Sequence, residues 1–181
     1  MAIDGDVGQG ETLNRVSKNY NCIDRRESLA RLEDLPEPSR SRIGNLPCPE
    51  FSDRPWVPPK KMSERRVAVV STAGLQRRGD HPFDVGGQDY RVIPSGTPSS
   101  DIIMSHVSTN FDRSGFQQDI NVALPIDRLH ELAEAGTIGS VADYHYSFMG
   151  ATDPELMRPH AERMIGLMKD DGVDTVLLVP I

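Results

Sequence analysis

The chain has 181 residues, enough for one ordinary domain or for one domain with a long irregular arm, and too few for three. Twenty Lys and Arg against 27 Asp and Glu give a net charge of −7, so the overall field that neutralises nucleic-acid phosphates is missing and no nucleic-acid partner is expected, despite the basic pairs Arg65-Arg66 and Arg77-Arg78. Hydrophobic residues at 37% and charged residues at 26% are lean in apolar matter without reaching the composition of a disordered chain, so some stretch is expected to lack a core.

Residues 1–62 form the first expected unit, an irregular Pro-rich arm in which Pro36, Pro38, Pro47, Pro49, Pro55, Pro58 and Pro59 crowd the second half. Within it, Leu29, Ala30, Leu32 and Leu35 predict a short helix over residues 25–35 that Pro36 ends. Residues 46–58 carry too many prolines for a central strand and are expected to be extended, anchored by Phe51 and Trp56. Cys22 and Cys48 have neither CxxC spacing nor neighbouring histidines, which argues against a zinc site and a disulfide scaffold. The first residues contain no apolar signal segment, and no apolar run approaches the ~18 residues of a spanning helix. A cytoplasmic protein without a membrane partner is the expectation.

Residues 63–181 are expected to form an α/β domain. Val67-Ala68-Val69-Val70 reads as a strand buried on both faces that leaves into the small-residue loop Ser71-Thr72-Ala73-Gly74. Residues 75–118 read as a long functional loop system with short extended pieces at 90–93 and 102–105. Pro125 opens a helix carrying Ile126, Leu129, Leu132 and Ala133 on one face, and Gly136 closes it. Asp153-Pro154 supplies an N-cap and first residue for a second helix, with a kink or restart expected at Pro159, a stripe of Ala161, Met164, Ile165 and Met168, and an end at Gly172. Residues 173–179 then read as a second central strand. Helix, Gly turn and apolar strand make the second half of a βαβ unit, so a mainly parallel sheet with flanking helices, a Rossmann-like doubly wound half, is expected.

In such sheets ligands bind beyond the carboxyl ends of the strands. The expected pocket is therefore built from residues 71–74, the loop around His106, and the segment 144–150. His106, Asp112 and His145 form a candidate acid/base pair or metal set, since imidazole titrates near neutrality and a carboxylate fixes its tautomer; the alternative is that each is a hydrogen-bonded structural residue. No HExxH or HxH spacing points to a metal. Residues 72–75 offer either a backbone anion cradle or close packing of a strand end, since no GxGxxG or GxxxxGK[ST] is present. Arg128 suits a substrate carboxylate or a helix-surface salt bridge. Tyr144, Ser147, Met149 and Gly150 belong to the densest aromatic and hydroxyl cluster, which serves equally as pocket wall or as an anchor for the arm. Met157, Met164 and Met168 read as core, and Asp170-Asp171 as a solvated helix end.

The strings Val69-Val70-Ser71-Thr72-Ala73-Gly74-Leu75, Gly79-Asp80-His81-Pro82-Phe83, Leu124-Pro125-Ile126-Asp127-Arg128-Leu129, His145-Tyr146-Ser147-Phe148-Met149-Gly150 and Asp171-Gly172-Val173-Asp174-Thr175-Val176-Leu177-Leu178 follow in this order. Together with Tyr90-Arg91-Val92-Ile93-Pro94, Asp119-Ile120-Asn121-Val122 and Gly139-Ser140-Val141, they resemble the glycine/sarcosine/betaine/D-proline reductase selenoprotein B family over residues 64–181. The resemblance implies a reductase in which a selenol or thiol attacks a small-molecule substrate activated by a pyruvoyl-containing partner subunit, cleaving a C–N bond reductively, with a thioredoxin-like electron donor. It also implies a selenocysteine or cysteine, in a U/C-x-x-C arrangement, directly after the final strand. No cofactor is predicted within the chain itself; the expectation is a selenocysteine immediately after Ile181 in the full gene product, its codon read as a stop. The competing expectations are a naturally short form with another chemistry, such as a metal-dependent hydrolase or lyase built on His106, Asp112 and His145, and a non-catalytic binding or scaffold subunit. A missing further layer would leave the last strand as an uncovered apolar edge, so a homo-oligomer is expected.

Overall fold

The computed structural model describes residues 31–45, 57–108, 113–150 and 152–181. The chain divides into two compact units, Met1–Cys48 and Pro49–Ile181. In the first, the described residues form a 3-10 turn, Leu32–Asp34, and a short helix α1, Ser39–Gly44. Of the helix expected over 25–35, the described part is that single turn; Leu35 is extended, because a following proline excludes the helical conformation. Phe51 and Trp56, the expected anchors, lie outside the described residues.

The second unit contains, in chain order, β1 (Arg66–Ser71), β2 (Leu75–Arg77), β3 (Tyr90–Pro94), β4 (Ile102–Met104), α2 (Ser114–Gln118), α3 (Ile126–Glu134), β5 (Ser140–Val141), β6 (Tyr144–Phe148), α4 (Pro154–Asp170) and β7 (Thr175–Val179). β1 is the hub of the main sheet. On one side it runs parallel to β5 at its start and to β6 at its end, and on the other parallel to β7, from Val67 opposite Thr175 to Ser71 opposite Val179. β3 is antiparallel to β6, so the fold is α/β with a mixed sheet. β2 and β4 form a separate antiparallel ribbon inside the expected loop system; β2 was too short to stand out in the sequence.

The alternation of β1 assigns its side chains to two cores. Val67 and Val69 pack with Leu124, Ile126 and Leu129 on the α3 face, whereas Ala68 and Val70 pack with Tyr146, Phe148, Met164 and Met168 on the α4 face. α3 ends where Gly136, at φ 69°, lets Thr137 N–H reach the Leu132 carbonyl. α4 starts with Asp153 Oδ1 accepting the Glu155 N–H at 3.0 Å and ends at Gly172, φ 69°, with Val173 N–H donating to Met168 O at 2.9 Å.

Two expectations are corrected. α4 runs unbroken through Pro159, with no restart, because the carbonyl it strands belongs to exposed Glu155 in the first turn. β7 is not a central strand: among the described residues it pairs only with β1, and Leu178 is 69% exposed. An apolar run marks a strand but not its number of neighbours. No helix among the described residues is long and apolar enough to cross a membrane.

Candidate functional site at the carboxyl edge of the sheet

Several of the expected site residues meet where β1 and β6 end. Thr72 ties three segments together: its N–H donates to Val179 O (3.1 Å), its carbonyl accepts from Gly150 N–H (3.0 Å), and its Oγ1 accepts from Ile181 N–H (2.8 Å). A Cβ on Gly150 would lie 3.0 Å from the Thr72 Cβ and 3.1 Å from the Ile181 carbonyl oxygen, so only glycine allows this approach. Ser71 Oγ accepts the Ala73 N–H, Ser147 Oγ accepts the Leu75 N–H at 2.8 Å, and both serines are fully buried. Ala73 bridges Met149, and both are buried. Of the four residues 71–74, Thr72 alone is partly exposed. The hydroxyls legible in the sequence therefore organise backbone, and the exposed rim consists of Thr72, Gly150 and Pro180 with Ile181 half-buried beside them.

Gly74 brings His106 to this edge. It sits at φ 64°, and a Cβ there would lie 2.9 Å from the His106 Cα, so the β1–β2 turn passes directly over the His106 backbone. His106 Nδ1 accepts the Ser108 N–H at 3.1 Å, which places its proton on Nε2, and Arg113 donates to the His106 carbonyl. Burial, together with the Arg113 charge, holds the imidazole below its ordinary pKa and keeps it neutral near pH 7.

His145 is held elsewhere. Its buried Nδ1 accepts the Val69 N–H at 3.0 Å, at the step where β1 passes from β5 to β6 and the ladder supplies no carbonyl. The remaining proton lies on Nε2, 3.4 Å from Ser95 Oγ, which in turn lies 2.9 Å from His130 Nε2. Burial lowers the His145 pKa to about 4. His106 and His145 thus have separate partners, and Asp112 lies outside the described residues. Among the described residues no three His, Cys, Asp or Glu side chains are grouped to hold a metal ion. Arg128 is on the exposed face of α3, paired with Glu131 at 2.7 Å.

Tyr144 lies at the opposite, amino end of the sheet, and this end carries what the sequence concealed. Asp171 is not a solvated helix end: its side chain is 6% exposed, Oδ1 meets the Arg66 guanidinium, and Oδ2 accepts the N–H groups of Asp143 (2.8 Å) and Tyr144 (3.3 Å). Arg66 also donates to the carbonyls of Asp171 (2.6 Å) and Val141 (2.7 Å), pinning the start of β1 to the end of α4. The partners are 105 residues apart, so no local pattern announces them. Two cavities of about 680 Å³ lie away from residues 71–74, one at this amino end and one beside the β2–β4 ribbon.

Comparison with known proteins places the chain. Residues 43–180 match the family described as glycine/sarcosine/betaine reductase selenoprotein B. D-proline reductase subunit gamma of Acetoanaerobium sticklandii is 33% identical over 135 residues, covering 68% of this chain and 52% of that protein. The glycine reductase complex component B subunit gamma of Symbiobacterium thermophilum is 28% identical over 138 residues, covering 73% of this chain and 32% of its own. The betaine reductase complex component B subunit beta of Peptoclostridium acidaminophilum is 30% identical over 156 residues, covering 74% and 32%. The chain therefore spans about half the length of the first relative and about a third of the other two. No solved structure matches. The chain belongs to the glycine/sarcosine/betaine reductase selenoprotein B family.

Proposed function

We propose that the chain is a subunit of an amino-acid reductase complex and that its carboxyl edge, residues 71–74 with Ser147, Met149 and Gly150, positions the segment that carries a redox selenol or thiol. The supporting observation is the grip of Thr72 on Ile181 against Gly150, which fixes the backbone leaving β7 to within a hydrogen bond of the β1 end. α4 opens from the same edge, its first turn capped by the Asp153 carboxylate, which accepts the Glu155 N–H. In this reading residues 63–181 are the reductase-family domain and 1–62 an arm. The sheet, with parallel neighbours on both sides of β1, is half of a doubly wound fold.

The chemistry is reductive cleavage of a C–N bond in a small-molecule substrate activated by a pyruvoyl-containing partner subunit, with electrons from a thioredoxin-like donor and selenocysteine or cysteine following Ile181. His106, neutral and against Gly74, is the imidazole at this edge that could handle a proton. One observation favours a non-catalytic scaffold role for the described residues themselves: their edge hydroxyls are engaged with backbone. Purifying the gene product from its native cell and analysing it by mass spectrometry and selenium assay separates the two readings. The expected result is a chain extending past Ile181 with selenium or cysteine next, co-purifying with a pyruvoyl-containing subunit and oxidising dithiothreitol in an amino-acid-dependent way. A native product with neither group and no associated reductase subunit overturns the proposal.

A further inference from the structure

A group of three side chains at the opposite end of the sheet from residues 71–74 is not used by the reading above. Ser95 leaves β3 beside the start of β6, its N–H donating to Asp143 O at 2.8 Å. Its Oγ stands between two imidazoles, 3.4 Å from His145 Nε2 and 2.9 Å from His130 Nε2. The direction of both contacts follows from a third. His145 Nδ1 accepts the Val69 N–H, so in the neutral ring the proton sits on Nε2 and is donated to Ser95 Oγ. The hydroxyl has one proton of its own, and His130 Nε2 is the acceptor left for it.

A serine hydroxyl is a weak nucleophile until a base takes its proton. His130 Nε2 stands within the reach such a base needs. His145, buried and with its pKa lowered to about 4, stays a neutral donor and stabilises negative charge as it builds on Oγ. The same order of protons disfavours a metal ion between the rings: a cation on His145 Nε2 would move its proton to Nδ1, against the Val69 N–H. His130 is exposed and Ser95 half-buried, so the pair is reached from solvent. A Cβ on the next residue, Gly96, would meet nothing within 4 Å, and the Gly96 N–H makes no hydrogen bond among the described residues, which leaves room and a free donor beside the serine for a carbonyl oxygen. Exposed Asp127 and Glu134 lie one turn either side of His130 on α3, and the Asp143 side chain is 75% exposed, so the surroundings repel anions.

We propose that Ser95 is an acyl-accepting nucleophile for uncharged esters and thioesters, with His130 as its general base. Ser95 Oγ attacks the carbonyl carbon of the ester while the hydroxyl proton passes to His130 Nε2. The bond from that carbon to the leaving oxygen or sulfur then breaks, and the leaving atom keeps the electron pair. The proton goes from His130 to the leaving atom or, where a stable phenolate departs, to solvent. The product is an acyl ester of Ser95, and nothing is oxidised or reduced.

The test is acetylation of the full chain by 4-nitrophenyl acetate, read by release of 4-nitrophenolate and by peptide mapping, with acetyl phosphate as the anionic counterpart. The expected result is a burst approaching one phenolate per chain and a hydroxylamine-labile acetyl group on Ser95, with no such label from acetyl phosphate. Ser95→Ala should abolish the burst. His130→Ala, at an exposed position, should slow Ser95 acetylation about a hundredfold, and added imidazole should restore part of the rate, which a purely structural histidine would not show. If Ser95→Ala fails to fold, the acetylation map of the native chain and the His130→Ala rate decide. Acetyl groups confined to lysines, a Ser95 acetylation rate that His130→Ala leaves unchanged, a slowed rate that imidazole does not restore, or equal labelling by acetyl phosphate overturns the proposal.

Discussion

Lowering the pH from 7 to 4 should destabilise the fold most strongly through the imidazole of His145, whose pKa is lowered to about 4, with His106, also lowered, acting in the same direction. The His145 Nδ1 takes the Val69 N–H, so protonating that nitrogen removes the acceptor and puts a charge into the α3-face core. The folded pKa is about 4 against an ordinary 6.5, with burial the main cause. Between those values the unfolded chain binds a proton that the native chain does not, so stability is complete above pH 6.5 and falls as the pH drops toward 4. The shift of 2.5 units, at about 1.36 kcal/mol per unit, predicts a loss of about 3 kcal/mol across that window.

His145→Asn isolates this effect. The asparagine Oδ1 takes the place of Nδ1 and still accepts the Val69 N–H, while its amide nitrogen is buried without a partner, at a pH-independent cost of about 1 to 2 kcal/mol. The wild type should therefore be more stable at pH 7.5, and the two urea-denaturation curves should cross near pH 5.5. Carboxylate titrations are common to both proteins and cancel in the difference. A difference that stays constant from pH 7.5 to 4, or a His145 Cε1 resonance titrating above pH 6, refutes the assignment.

Asp171→Ala should cost about 3 kcal/mol in thermal or urea unfolding, because it removes the main carboxylate partner of the partly buried Arg66, which keeps only the exposed Asp143, and leaves the Asp143 and Tyr144 N–H groups without their acceptor. Burial raises the Asp171 pKa, but Arg66 and the Tyr144 and Asp143 N–H groups outweigh it and hold the carboxyl below its ordinary 3.8; its contribution is present above that value and is lost as the pH falls below it, beneath the His145 window. Gly74→Ala should cost about 2 kcal/mol or more, from the positive φ and the 2.9 Å approach to His106, whereas Gly136→Ala, with a similar φ but open space around it, should cost about 1 kcal/mol, as compared by thermal melts. Thr72→Val keeps the shape but removes the acceptor of the Ile181 N–H; the Ile181 amide should exchange with deuterium about tenfold faster, and unchanged protection would show that the grip does not exist. β7 exposes Val176, Leu177 and Leu178 along an edge with no charge or proline between 175 and 179, so antiparallel pairing with a second copy is expected; light scattering should show a dimer that Leu178→Lys converts to monomer, and a clean monomer at high concentration would remove the homo-oligomer proposal.

The elements legible in the sequence are those whose causes are local. The start of α4 needs only Asp153-Pro154 and its end only Gly172; β1 needs only four consecutive apolar residues. Lone short pairings such as β2 and β5 carry no periodic signal, and β7 looked central because Leu177 and Leu178 are as apolar as Val69 while their neighbours are set by topology. The candidate site divides in the same way. Thr72, Ala73, Gly74, Ser147, Met149 and Gly150 converge because they are strand ends, which the sheet argument anticipates. Tyr144 and Arg128 do not join them: Tyr144 begins the strand that Phe148 ends, and Arg128 has a carboxylate one turn away. The Arg66 contact with Asp171 and the His145 bond to Val69 depend on segments far apart in the chain, and nothing short-range in the sequence foreshadows them.

The two ends of the sheet are stabilised by different means, and the difference bears on where chemistry can occur. At the amino end, the paired side chains of Arg66 and Asp171 tie β1, β6 and α4 together by bonding to one another and to the backbone of residues 141, 143, 144 and 171. At the carboxyl end the closures are made by uncharged hydroxyls and by two glycines whose missing Cβ atoms let strands touch. That construction leaves the rim beside Gly150 free of fixed charge from residues 71–74 and 147–150, none of which is ionisable. An anionic selenolate or thiolate placed there would meet no carboxylate from these two segments, whereas at the start of α4 the helix N-terminal field that favours it is opposed by the carboxylates of Asp153 and Glu155. The same absence of ionisable groups means that the segments lend no proton of their own, so any proton delivered at this rim has to come from another segment, such as the one carrying His106, from solvent or from a partner. A rim of this kind suits holding a nucleophile rather than being one.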